Sequence, residues 1–303
     1  MTVKNIAIFS KMANFVHLFF KDSLPMKTKY LHFNQLDSTN AYLQRMQLEQ
    51  DIRNWVVSTD TQTAGKGMWH NGWESETGKN LTFSVALEMG FLPAERQFLL
   101  SEAVPLGIIE VLDELLFDSF KGIDTLALPS MSYRPTRGGS VSTDGRPWYD
   151  MPSKISIKWP NDIYYGNHKL AGILINSTIK ANMMDISIIG VGLNVNQTQF
   201  QDWPTHPISM KMITGKQYNL QPLLEKIAER ITMKVEQLKS DPTSIEQDYL
   251  KRLFRYQTWA DYEVDGKAMR LFMTGIDAFG RLQLVDAQQK SHSYEIKQIK
   301  FLF

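Results

Sequence analysis

Within KWPNDIYYGNHKLAGIL, residues 158–174, the side chains of Lys158, Asp162 and Lys169 have the types and spacing for chemistry. In KISIKWP, alternation places Ile155, Ile157 and Trp159 on one face of a strand and Ser156 and Lys158 on the other. Pro160 has no N–H to give to a ladder, so the strand ends there and Asn161 and Asp162 fall at its end. Tyr165-Gly166-Asn167-His168 is turn chemistry, with Gly-Asn suited to a two-residue hairpin connection. The chain returns through Lys169, and Gly172 lets a backbone or a ligand approach closely. Two cations and a carboxylate can therefore meet on one side of a hairpin. On a solvated sheet face the same residues would be surface pairs worth about 0–1 kcal/mol.

Two further clusters favour a binding site. Gly65-Lys66-Gly67 follows a strand and offers free N–H groups and a cation to an anion. Gly190-Val191-Gly192-Leu193-Asn194 also follows a strand and offers a second close-approach turn. Either glycine motif alone reads as a simple turn. Three anion-friendly strand ends in one domain suggest a nucleotide and a carboxylate.

The elements that must position these residues follow from periodicity. YLHFNQL and WVVSTDTQ read as strands, DSTNAYLQRMQ as a helix capped by Asp37 or Ser38, and LTFSVALEM as another strand. SEAVPLGIIEVLDELLF (101–117) predicts a helix behind a Ser101 cap, with Pro105 in its first turn. MDISIIGVGLNVN is strand into turn, and LQPLLEKIAERITMKVEQLK a helix whose apolar stripe is core. Residues 129–153 are rich in Pro, Gly and Ser and read as a surface insertion, with a folded substrate-gripping flap as the alternative. From about Gln257 the period becomes two, with turn signals at Asp265-Gly266 and Phe279-Gly280, which predicts a small antiparallel barrel.

Composition bounds the partners. Thirty-three basic against 32 acidic residues give a net charge of +1, which argues against general nucleic-acid binding. The absence of cysteine removes disulfides, thiolate metal sites and thiol nucleophiles, and is compatible with a cytoplasmic protein. Residues 5–20 are apolar but broken by Lys11, Asn14 and His17, so no membrane span is expected there. Residues 1–29 are read as an N-terminal extension, amphipathic or floppy, because MKTKYLHF from Met26 looks like a natural domain start.

With these motifs in hand, residues 30–303 resemble the biotin protein ligases. The resemblance rests on DSTN (37–40), QTAGKG with downstream WES and GKNL (62–81), KWPND (158–162), KLAGIL (169–174) and GVGLNVN (190–196), in that order. It implies an α+β fold: a mixed-sheet catalytic domain over 30–255, like those of lipoate ligases and class II synthetases, and a small C-terminal SH3-like β-barrel over 256–303. It implies a two-step reaction, in which ATP and biotin give biotinyl-5′-AMP with Mg²⁺, and a lysine of a biotin carboxyl carrier domain then attacks the adenylate. By position it implies catalytic roles for Lys169, Asp162 and Lys66, with Asp162 holding Mg²⁺ or orienting the incoming amine. Ser38, Thr39, Asn40, Gln62, Gly65, Lys66, Gly67, Met68, Lys169 and Gly172 match biotin-contacting positions. Trp73, Lys158, Asn161, Gly190, Gly192 and Asn194 match nucleotide-contacting ones, with Trp73 as an aromatic lid.

The loop Gly65-Lys66-Gly67-Met68-Trp69-His70-Asn71-Gly72 departs from the Gly/Arg-rich run of the family, and the expectation is that Met68 and Trp69 cover the adenylate. His70 reads as a solvated loop histidine. A winged-helix DNA-binding domain would need ~60 residues before the ligase core, and about 29 precede Tyr30. A lipoate or octanoate ligase of the same fold, and a catalytically weakened biotin-binding sensor, remain as alternatives. So does the question of a homodimer.

Overall fold

The structure is a computed structural model that describes residues 15–65, 67, 72–120, 155–201 and 206–303, apart from 22–27, with backbone alone for 15–21 and 117–120. The insertion expected at 129–153 and the loop residues Lys66, Met68, Trp69 and His70 lie outside the described residues.

Alternating β-branched and aromatic residues build an eight-stranded mixed sheet. Its strands are β1 (Phe15–Lys21), β2 (Thr28–Leu36), β3 (Trp55–Gln62), β4 (Leu81–Glu88), β5 (Ile155–Lys158), β6 (Asp162–Tyr165), β7 (His168–Lys180) and β8 (Met183–Leu193). They lie in the order β1-β2-β3-β4-β8-β7-β6-β5. The β2–β3 pair is parallel and the other neighbours are antiparallel. Within residues 1–29, read as an amphipathic or floppy extension, Phe15–Lys21 forms a strand. Phe15–Lys21 pairs with β2 along the sheet edge, as its aromatic and branched composition favours.

Each face of the sheet carries its own core. Helix α1 (Thr39–Gln47) covers one face through Tyr42, Leu43 and Met46 against Leu31, Phe33, Val57 and Ile188. Its N-cap is Ser38, whose hydroxyl accepts from the Ala41 N–H at 3.4 Å. On the opposite face lie α2 (Phe98–Phe120), the short α3 (Met210–Thr214), α4 (Leu220–Gln237) and α5 (Pro242–Arg252). Helix α2 begins at Phe98 rather than behind a Ser101 cap, so Pro105 lies inside the helix and not in its first turn. Burial of Leu99 and Leu100 draws the preceding turn into the helix. Helix α4 buries Leu223, Leu224, Ile227, Ala228, Ile231 and Val235, the stripe expected from its spacing.

The terminal sheet comprises β9 (Trp259–Val264), β10 (Lys267–Ile276), β11 (Leu282–Val285), β12 (Ser291–Tyr294) and β13 (Ile299–Phe301). All its pairings are antiparallel, in the order β12-β11-β10-β9-β13. Asp265 and Gly266 both take positive φ, 49° and 73°, in the β9–β10 turn, as Asp-Gly predicts. Tyr262, Leu271, Met273 and Leu282 join the same buried cluster as α2 and α4, so this sheet shares the core of the larger one.

Candidate active site

The central strands leave a strip where glycines replace larger side chains. Thr82 of β4, Gly192 of β8 and Gly172 of β7 stand side by side in register, as do Ser84, Gly190 and Leu174 one step along. Asn40 at the start of α1 descends onto Gly190, where a Cβ would lie 2.5 Å from its Oδ1. The Trp73 ring rests on Gly192, where a Cβ would lie 2.3 Å from Cε2. These glycines are therefore required by close approach rather than by turn geometry, which corrects the reading of GVG as a turn: Gly190 and Gly192 lie within β8.

A cavity of about 680 Å³ opens over this strip. One end is a polar network with buried Thr39, Asn40 and Ser84 at its centre, of which Thr39 and Asn40 line the cavity. Ser84 Oγ donates to Asn40 Oδ1 at 2.5 Å and lies 2.6 Å from the Thr39 hydroxyl, a second hydrogen-bond contact. The Thr39 N–H donates to Gln62 Oε1 at 2.9 Å, and Asn40 Nδ2 donates to Asn176 Oδ1 at 3.1 Å and to the Leu174 carbonyl at 3.2 Å.

The charged hairpin forms the other end. Lys158 and Asp162 are register partners across β5 and β6, and Lys169 Nζ donates to Asp162 Oδ2 at 2.6 Å. Their side chains are about one-fifth exposed, 21% for Lys169 and 19% for Asp162, so both can reach a ligand. Lys158 Nζ donates to the Tyr164 hydroxyl at 3.3 Å and lies 5.0–5.5 Å from the ring centroids of Tyr164, Phe301 and Phe303. Burial lowers the pKa of Lys158, partly opposed by the Asp162 charge.

Most of the sequence-identified residues converge on this cavity. Ser38, Thr39, Asn40, Gln62, Gly67, Trp73, Lys158, Asp162, Lys169, Gly172, Gly190 and Gly192 line it. Gly65 sits beside it, its carbonyl accepting from the Trp73 N–H at 3.3 Å. Asn161 and Asn194 are buried and do not line it. Asn194 instead bonds the strand behind the lysine, with its N–H on the Leu170 carbonyl at 3.0 Å and its Nδ2 on the Lys169 carbonyl at 3.4 Å. Asn161 Oδ1 is buried without a partner among the described residues.

Sequence reasoning missed Ser84 and Asn176, which brace Asn40 from outside the cavity, and Phe301 of β13 and Phe303 just beyond it, which line it. Ser84 carried a signal, a small polar residue inside the apolar run LTFSVALE. The two phenylalanines carried none, because only folding brings β13 to β6.

Asp162 is the sole carboxylate among the described cavity residues, and no group of three His, Cys, Asp or Glu able to hold a metal occurs among the described residues. A Mg²⁺ that retains waters and phosphate oxygens needs only one or two carboxylates. Asp162 fits that demand and no larger one.

Comparison with known proteins agrees with this arrangement. A model of the biotin/lipoate A/B protein ligase family matches residues 32–194. Biotin–protein ligase 1, chloroplastic, of Arabidopsis thaliana is 30% identical over 145 residues, covering 48% of this chain and 30% of its own. The biotin–[acetyl-CoA-carboxylase] ligase of Mycobacterium tuberculosis is 28% identical over 164 residues, covering 54% of this chain and 48% of its own. The chain thus spans less than half the length of these curated relatives. The biotin protein ligase of Aquifex aeolicus in complex with biotin and ATP superposes with a TM-score of 0.65 at 19% identity, over 89% of this chain and 97% of the other. At that identity the likeness is one of fold. A biotin protein ligase-like protein of unknown function from Silicibacter has a TM-score of 0.59 at 11% identity, over 91% of this chain and 96% of the other. The family match covers more than half of the chain, and the chain belongs to the biotin/lipoate A/B protein ligase family.

Proposed function

We propose that this chain is an ATP-dependent biotin protein ligase that forms biotinyl-5′-AMP and transfers the biotinyl group to a lysine of a biotin carboxyl carrier domain. The observation that carries the reading is one cavity with a hydrogen-bonding floor at one end and the Lys158–Asp162–Lys169 cluster at the other. A ureido ring has a carbonyl acceptor and two N–H donors. Gln62 uses its Oε1 on Thr39 and keeps its Nε2 for a ligand, and the Thr39 hydroxyl at the cavity wall can donate or accept, while Ser84 braces Thr39 and Asn40 from beneath. A dithiolane or an octanoyl chain would offer the half-buried Gln62 Nε2 no acceptor, which disfavours lipoate and octanoate.

In the first step a biotin carboxylate oxygen attacks the α-phosphorus of ATP and pyrophosphate departs. Two anions must meet, and their repulsion is the barrier that fixed cations lower. Lys169, freed from Asp162 by the incoming carboxylate, is the cation placed between carboxylate and α-phosphate. Lys158 faces the same point from β5, held among Tyr164, Phe301 and Phe303. Asp162 is the residue to hold Mg²⁺, which when bound supplies neutralisation of phosphate charge. In the second step the neutral carrier lysine amine attacks the acyl carbon, the acyl–phosphate bond breaks with AMP leaving, and the proton the new amide sheds passes to solvent water. Asp162, at the cavity wall, is placed to orient that amine. Trp73 covers the glycine strip and shields the adenylate from water.

The test is incubation of the chain with ATP, biotin and a carrier domain, followed by mass spectrometry of the carrier. The reading requires one biotinyl addition on one lysine, dependent on ATP. A carrier left unmodified while biotin still binds would favour a sensor instead.

A further inference from the structure

The tip of the KWPND hairpin is buried. Hairpin tips ordinarily face solvent, yet Trp159 and Asn161, two of the three residues between β5 and β6, are 6% and 4% exposed, and Pro160 between them is buried too. Lys158 and Asp162 form the base of this tip, so its placement sets theirs.

Two buried hydrogen bonds hold it, one made by a side chain from elsewhere and one by a side chain of its own. Tyr249 of α5, fully buried, donates its hydroxyl to the Pro160 carbonyl at 2.6 Å. Trp159 reaches the other way, its Nε1 donating to the Gly280 carbonyl at 2.9 Å in the turn between β10 and β11. Gly280 has φ of +84°, and a Cβ there would fall 2.1 Å from the Phe98 ring, which itself packs edge-on against Tyr249 with centroids 6.0 Å apart. Tip, α5, the start of α2 and the terminal sheet thus interlock. Just beyond α5, the Phe254 N–H donates to the Ile157 carbonyl at 2.8 Å, closing the outer edge of β5.

We propose that Tyr249 and Trp159 are positioning residues that clamp the catalytic hairpin between α5 and the terminal sheet, holding Lys158 and Asp162 in register for adenylate formation. Neither hydrogen bond is needed to form the β5–β6 ladder, which is complete through Lys158 and Asp162. The bonds instead fix where the hairpin points. Reacting groups tolerate little displacement, since a shift of about 1 Å can cost 10²-fold in rate. The terminal sheet on this view is part of the catalytic unit rather than an appendage. The proposal rests on the ligase reading for its rate arm alone.

Tyr249→Phe and Trp159→Phe each remove one donor and keep a ring. Two readouts are taken on the full chain: deuterium uptake over residues 155–165, and kcat and KM for biotin in ATP–pyrophosphate exchange. Uptake should rise in both variants, and kcat should fall about tenfold with KM for biotin nearly unchanged. Ile231→Val, a fully buried change in α4 away from the cavity, is the control for general destabilisation. It should lower Tm comparably and leave kcat intact. Unchanged uptake in both variants overturns the clamp, whether or not the wild type has activity. Raised uptake with kcat no lower than in the control overturns the positioning role. A wild type that makes no adenylate sinks the ligase reading, and the uptake arm alone then decides the clamp.

Discussion

Replacing Lys169 with methionine removes one charge and keeps the length of the side chain. At 2.6 Å from Asp162 Oδ2, and with an effective dielectric constant of ~20, the gross attraction is about 6 kcal/mol. Most of that is cancelled by the desolvation of both groups, which are four-fifths buried. Lys158 across the hairpin also remains to face Asp162, so the cost in stability should be about 1 kcal/mol. The loss in the transition state is different in kind. There Lys169 stands between a carboxylate and a phosphate with little water, and one such contact is worth about 2.7–4 kcal/mol, or roughly 10²–10³ in kcat. Biotin-dependent ATP–pyrophosphate exchange reads that step, and urea unfolding of the same variant reads the stability. A near-normal exchange rate in Lys169→Met would refute the reasoning. So would a rate loss matched by a stability loss of several kcal/mol, which would make the pair a structural element.

Asp162→Asn should cut turnover in the presence of Mg²⁺ by at least tenfold while leaving biotin affinity within about twofold, as isothermal titration would show; undiminished turnover would remove Asp162 from the site. Gly190→Ala should displace Asn40, whose Oδ1 lies 2.5 Å from the added Cβ, and raise KM for biotin with kcat less affected. Glu102 is buried in α2, and burial, reinforced by Glu246, raises its pKa to about 8. Between pH 4.5 and about 8 the unfolded chain has released this proton and the folded chain retains it. Its contribution to stability is therefore full below pH 4.5 and is lost at about 1.4 kcal/mol per pH unit as pH rises toward 8. Glu102→Gln should gain on the wild type over that window in urea unfolding, and parallel curves would contradict the burial argument.

Much of the site was legible because local chemistry dictated it. The alternation in KISIKWP, the Gly166-Asn167 turn and the return at Lys169 were enough to bring Lys158, Asp162 and Lys169 together. The Ser38 cap and the Asp265-Gly266 turn were readable for the same reason. What escaped was set by contacts between distant segments. The start of α2 moved to Phe98 because Leu99 and Leu100 find a core there. Strand β1 exists through its pairing with β2, which the broken apolar run around His17 did not announce. Gly190 and Gly192 read as a close-approach turn; the close approach holds, but they lie within a strand, and what they admit is Asn40 from α1 and Trp73 from a loop, each more than a hundred residues away in sequence. The burial of the hairpin tip depends on Tyr249 and Gly280, and no local pattern encodes either contact.

The decisive measurement offers the purified chain α-labelled ATP with equimolar biotin, lipoate and octanoate, without carrier, and identifies the adenylate retained by the protein. The polar floor built by Thr39, Gln62 and Asn40 predicts biotinyl-5′-AMP in large excess, lost on Lys169→Met. Retention of lipoyl- or octanoyl-adenylate in preference, or of no adenylate at all, would contradict it.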